Sequence, residues 1–143
     1  MRIDISTHEG NVPVQVVKPR GDLDGSNYTE LIDFVRKRYV EGGCDFVLDL
    51  TDVPFVSSAG LMAIHSVALM LRGEATPDTE AGWSALKSAD RSRDAGMQMH
   101  VKLVGLQEGV ADTFDKVGFT QFFAIFPDVA QAVASFPPPP AQA

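Results

Sequence analysis

The stretch "DLTDVPFVSSAGLMAIHSVALML", residues 49–71, decides how the chain folds. It continues "DFVLDL", in which Phe46, Leu48 and Leu50 share one side in the alternation of a strand. Pro54 breaks the run, because proline lacks the N–H that a sheet ladder needs. From about Ser58 to Leu71 the apolar residues Leu61, Ile64, Ala68 and Leu71 recur at helical spacing. Strand, turn and helix therefore follow one another closely, with Ser57, Ser58 and Gly60 where turn becomes helix. The first N–H groups of a helix lack intrahelical partners, so a serine oxygen caps them well, and an added anion meets a favourable dipole there. Both plain capping and a phosphorylatable hydroxyl fit this arrangement.

Working outward, "RIDIS" and "VPVQVVKP" read as two strands of a hairpin turning at Gly10 and Asn11. Tyr28, Leu31, Ile32, Val35 and Tyr39 then form an apolar stripe opposite Asp33, Arg36, Lys37 and Arg38, which is an amphipathic helix. Asp24 or Ser26 is expected to cap it, and Gly42-Gly43 to end it. Residues 74–96 change in composition to small, polar and charged side chains and read as an insertion with a short helix around Trp83 to Arg93. "MQMHVKLVGL" restores a strand, and Val110, Phe114 and Val117 form a helix closed by Gly118. "FTQFFAIF" reads as a last strand, and Pro127 opens a helix carrying Val129, Ala132, Val133 and Phe136. The expected fold is one α/β domain over residues 1–136, with a mixed β-sheet of about four to five strands and helices mainly on one face. The Pro-rich tail, residues 137–143, is expected to be extended and disordered.

A chain of 143 residues fits a single domain. Its net charge of −7 opposes nucleic acid, whose phosphates need a basic surface. Cys44 is the only cysteine, which excludes an intrachain disulfide and suits a reducing cytoplasm. "MRIDISTHEG" lacks the apolar run of a signal peptide, and no stretch reaches the ~20 apolar residues of a membrane span, so a cytoplasmic protein is expected. His8, His65 and His100 have no ligand-like spacing to one another or to Cys44, so no metal is expected. No Gly-rich phosphate loop with lysine appears, and "SSAGL" lacks the Gly-x-Ser-x-Gly elbow of a serine hydrolase. No cofactor and no enzymatic activity are expected.

"VLDLTDVPFVSSAGL", residues 47–61, closely resembles the signature of the STAS domain, and within it of the bacterial anti-sigma factor antagonists: an apolar strand, a short turn, then Asp-Ser-x-Gly-Leu opening a helix. Gly60 and Leu61 fix the register, so the resemblance places Ser58 on the family's phosphorylated serine and Ser57 on its usual aspartate. "GDLDGSNYTEL", residues 21–31, resembles the family's Gly-x-Leu-Asp segment, and "VKLVGLQEGVADTFDKVGFTQFFAIFPDVAQAV" has its closing order of elements. The resemblance covers roughly residues 2–136, interrupted by the insertion. It implies a partner-switching protein. The unphosphorylated domain binds an anti-sigma factor that is also a serine kinase, phosphorylation at Ser58 ends that binding, and a serine phosphatase restores it. Partner contacts are expected at Asp22, Asp24, Ser57, Ser58, Ala59 and Met62, with Ser57 as the alternative acceptor. Two other readings stand beside this one: a STAS docking subunit of a sensory, stressosome-like, or lipid-transport assembly without phospho-switching, and a small-molecule-binding protein or enzyme using Ser57 and Ser58.

Overall fold

The computed structural model describes residues 2–43, 45–71, 100–121 and 123–136. The insertion expected at 74–96 and the tail at 137–143 lie outside the described residues. Strands β1 (Arg2–Glu9) and β2 (Pro13–Arg20) form an antiparallel hairpin in which Arg2 faces Arg20 and Glu9 faces Pro13. Strands β3 (Phe46–Asp49), β4 (Val101–Val104) and β5 (Ile125–Phe126) then add in parallel, giving a mixed five-stranded sheet of order β1-β2-β3-β4-β5. Helices α1 (Tyr28–Val40), α2 (Ser58–Leu71) and α3 (Glu108–Lys116) follow β2, β3 and β4 in turn, and α4 (Val129–Ser135) follows β5.

Each parallel connection steps the same way across the sheet, and right-handed crossovers of that kind bring their helices to one face. The main core is built there. Val17, Leu48 and Leu103 of the strands meet Leu31 and Val35 of α1, Ile64 and Val67 of α2, and Phe114 of α3. Strand β3 is central and covered on both sides, with Phe46, Val47 and Leu48 fully buried, which is why its sequence is nearly continuously apolar.

Helix α4 is the exception to the one-sided arrangement. After β5 the chain returns beneath the sheet and packs Ala132, Val133 and Phe136 against Val14, Val16, Val47 and Val104. Lys102 faces this side, donating from Nζ to Ser135 Oγ at 2.8 Å and lying 4.5 Å from the centre of the Phe136 ring. Burial pushes its ammonium below the ordinary lysine value, with the Asp45 carboxylate opposing that shift.

Three sequence-based expectations are corrected by the packing. "FTQFFAIF" is not one strand: Phe119–Gln121 is a turn of 3-10 helix, and only Ile125–Phe126 pairs with the sheet. The cause is aromatic packing, since Phe119 lies 5.5 Å edge-on to Phe114 and 5.4 Å from Phe123, and an i to i+4 contact needs a helical turn. Neither Asp24 nor Ser26 caps α1, whose N-cap position is Asn27 with no side-chain cap bond. Pro127 does not open α4 but lies two residues before its first residue, Val129, because Asp128 is the N-cap and accepts from Gln131 N at 2.8 Å.

Leu48 is fully buried in the central strand, whereas Val40 is 78% exposed at the end of α1. Leu48→Ala should therefore lower unfolding stability by about 2–5 kcal/mol and Val40→Ala by no more than about 0.5 kcal/mol. Urea denaturation of the two variants side by side measures the difference.

Candidate functional site

Parallel neighbours deliver their loops to the same end of a sheet. The loops that leave β2 and β3 therefore meet, and they pair as a short extension of the sheet. Leu23 bridges Val56 in parallel, Leu23 N donates to Phe55 O at 2.9 Å, and Ser57 N donates to Leu23 O at 2.9 Å. Gly21, with φ of +92°, allows the chain to turn out of β2, and its N–H donates to Asp52 O at 3.0 Å. Leu23, Val53 and Val56 point inward and are buried.

Gly60 explains how closely the two loops approach. A Cβ added there would lie 2.5 Å from Leu23 O and 2.8 Å from Val56 Cγ1, distances that no side chain tolerates without displacing backbone. The bare glycine lets the first turn of α2 rest directly on the Leu23 segment.

The two serines have different environments. Ser57 is half-buried, and its Oγ accepts from Gly60 N at 3.3 Å, so it caps α2. Ser58 is the first helical residue and is exposed. A hydroxyl in water at a helix entrance is open to a modifying enzyme, and a charge placed there faces the positive end of the dipole.

Beside the serines, Asp22 is exposed and Asp24 half-buried. Asp24 organises its own loop: Oδ1 accepts from Ser26 N at 2.9 Å and Ser26 Oγ at 2.6 Å, and its backbone oxygen accepts from Asn27 N and Tyr28 N. Asn27 completes the turn, accepting from Asp24 N at 3.0 Å and donating to Asp22 O at 2.8 Å. The two bonds from Ser26 hold the Asp24 carboxyl below the usual aspartate range.

Ser57, Ser58 and Ala59 thus stand next to the loop of Asp22 and Asp24. Met62, expected among the contact residues, is only 4% exposed and has almost no surface to offer a partner. The rest of α2 is equally covered, since Leu61, His65, Ser66 and Met70 are all buried. Conversely, Phe55 lies within this turn and is 53% exposed. No sequence signal marks it, because the inward side chains of the turn, Val53 and Val56, are selected by pairing with Leu23.

A cleft of about 250 Å³ lies on the α4 side of the sheet, lined by Asp4, His8, Lys18, Arg20 and Val129 among others. It does not include the serine turn, and Ser58 stands on open surface. Among the described residues, no three His, Cys, Asp or Glu side chains cluster to hold a metal, and no helix is long and apolar enough to cross a membrane.

The family model of the STAS domain matches residues 2–75, just over half of the chain, and the protein belongs to the STAS domain family. Solved structures agree on the fold. An anti-sigma factor antagonist from Mycobacterium paratuberculosis superposes with a TM-score of 0.66 at 16% identity, covering 94% of this chain and 92% of that one. The anti-sigma factor antagonist SpoIIAA in its unphosphorylated form superposes with a TM-score of 0.51 at 11% identity, covering 92% of this chain and 93% of that one. The Bacillus SpoIIAA in its phosphorylated form gives the same score and identity, with 92% and 95% covered. No curated protein sequence matches the chain significantly.

Two outcomes test the geometry of the turn. Gly60→Ala should destabilise by about 1–3 kcal/mol through overpacking against Leu23 O, whereas Gly109→Ala in α3, where nothing lies within 4 Å, should not destabilise; chemical denaturation reads both. For Asp24, the ionised carboxylate is the form that accepts from Ser26, so its folded pKa lies below the unfolded one. The stabilisation it brings is complete above the unfolded pKa and is lost as pH falls through the folded pKa. Carboxyl-carbon NMR titration should show Asp24 titrating below the ordinary value, and Ser26→Ala should move it back up.

Proposed function

We propose that the protein is an anti-sigma factor antagonist that works as a phosphorylation-controlled binding module without catalytic activity of its own. In the unphosphorylated form it binds an anti-sigma factor with serine kinase activity, so freeing a sigma factor. Phosphorylation of Ser58 ends the binding, and a serine phosphatase renews it. The site of action on this reading is the cytoplasm.

The observation that carries the proposal is the difference between the two hydroxyls: Ser58 is exposed at the first residue of α2, while Ser57 is half-buried and caps the helix. Ser58 is therefore the acceptor and Ser57 the structural partner. Asp22, Asp24, Ser57, Ser58 and Ala59 form the proposed contact surface on two loops joined by backbone hydrogen bonds. A phosphate adds about −1.5 to −2 charge and three acceptor oxygens to such a surface. A partner face shaped for a neutral hydroxyl then has to desolvate an anion, which weakens the complex. The known phosphorylated and unphosphorylated forms of SpoIIAA, a domain of the same fold, support this reading.

The experiment uses the purified serine-kinase anti-sigma factors of the source organism with ATP, followed by mass spectrometry and calorimetry. One phosphate is expected, on Ser58. Ser58→Ala should prevent it and still bind, and Ser58→Asp should weaken binding by less than the phosphate does, having one charge and fewer acceptor oxygens. Phosphate appearing on Ser57 at an unchanged rate in Ser58→Ala would overturn the assignment of the acceptor. Equal affinity of the modified and unmodified forms would overturn the switch.

A further inference from the structure

In the proposed switch, the exposed ring of Phe55 has no role. It is 53% exposed, although Val53 is fully buried and Val56 is 3% exposed. This exposure is imposed by the backbone and is not that of a frayed loop. Val53 N donates to Leu50 O at 3.0 Å, Pro54 fixes its own φ, Phe55 O accepts from Leu23 N, and Ser57 N donates to Leu23 O. With Val53, Val56 and Leu23 held inward, Phe55 is held outward on a rigid platform. Among the described residues, the other large apolar residues that are exposed lie on other elements: Tyr39 and Val40 at the end of α1, and Ile125 on β5.

A ring presented this way brings apolar area to an interface without the entropy cost of ordering a loop. Aromatic side chains are enriched at the buried centres of interfaces for this reason. The flanks have a defined charge. Asp22 and Asp24 belong to the segment paired beside Phe55, and the chain carries a net charge of −7, so complementarity calls for basic groups opposite that flank. Ser58 follows Phe55 along the chain, three residues on, and is neutral when unmodified.

We propose that Phe55 is the apolar anchor through which the unphosphorylated domain grips its anti-sigma factor, seating its ring in an apolar pocket whose edge facing Asp22 and Asp24 is basic. The inference rests on the switch proposed above and divides its work. Phe55 supplies most of the affinity, and Ser58 sets whether the ring can seat. A phosphate on Ser58 has to lose its hydration for the ring to reach the pocket floor, so the anchor is withheld although its own conformation is unchanged.

The test is calorimetric titration of the anti-sigma factor that binds the wild-type chain with Phe55→Ala, Phe55→Leu, Phe55→Gln and Val40→Ala. Phe55→Ala and Phe55→Gln should each weaken binding roughly 30-fold or more, the effect of removing an interface hot spot. Phe55→Leu, still apolar, should retain most of the affinity, and Val40→Ala, exposed but far along α1, should leave it unchanged within about twofold. Urea midpoints close to wild type for all four separate lost binding from lost folding. If Phe55→Ala and Phe55→Gln both bind within about threefold of wild type while the phosphorylated chain does not bind, the anchor is wrong and the switch stands. If no serine-kinase anti-sigma factor binds the wild-type chain, the switch fails and the anchor fails with it.

Discussion

The close approach of Gly60 to Leu23 is the constraint on which the rest of the serine turn depends. A single methyl group at residue 60 would press against the carbonyl oxygen of Leu23. That same oxygen accepts from Ser57 N, and the N–H of Leu23 donates to Phe55 O. Moving the helix outward to make room would therefore break the bonds that register one loop against the other. Topology makes the encounter possible, since β2 and β3 are adjacent and parallel and release their chains at the same end of the sheet. This is also the end at which open α/β sheets generally present their binding loops.

Much of this architecture was legible because the elements are strongly patterned. The alternation in "DFVLDL", the stripe of Leu31, Ile32 and Val35, and the serines before Gly60 each imply one local structure, and the structure contains all three. What escaped was set by tertiary contacts. "FTQFFAIF" has the β-branched and aromatic content of a strand, yet Phe119 packs on Phe114 and Phe123 packs on Phe119 in place of extending along the sheet edge. Met62 was expected among the partner contacts from its place just after the serines, and it is buried because α2 is covered around nearly its whole circumference. The capping of α1 escaped because Asp24, Ser26 and Asn27 bond chiefly to one another and to the loop backbone, an arrangement that residue types alone do not distinguish from a cap.

Phe55 is the instructive omission. Along the chain it reads as one more apolar residue of a buried run, because sequence alternation assumes a regular strand. The backbone at Pro54 is irregular, and pairing with Leu23 selects Val53 and Val56 as the inward residues. An apolar residue next to the serine turn thus cannot be assigned to core or surface by period alone when a proline interrupts the period. It takes the partner segment to decide which way the side chain faces.

The separation of roles between the two serines has a thermodynamic consequence for any switch built on this turn. Ser57 holds the first turn of α2 through its oxygen, so modification there would compete with the cap and act on the fold. The Ser58 side chain, by contrast, stands exposed, and the entrance of a helix favours a negative group by about 0.3–1 kcal/mol where it is exposed. The nearby Asp22 and Asp24 carboxylates oppose that gain, across a surface where salt screens both effects. The net influence of a Ser58 phosphate on stability is therefore small in either direction. Under the proposed mechanism its influence on binding is not small, because water that hydrates the phosphate has to be removed to close an interface. On that mechanism, a hydrogen-bonded turn with one structural and one exposed hydroxyl would let charge control association while the fold beneath it stays the same.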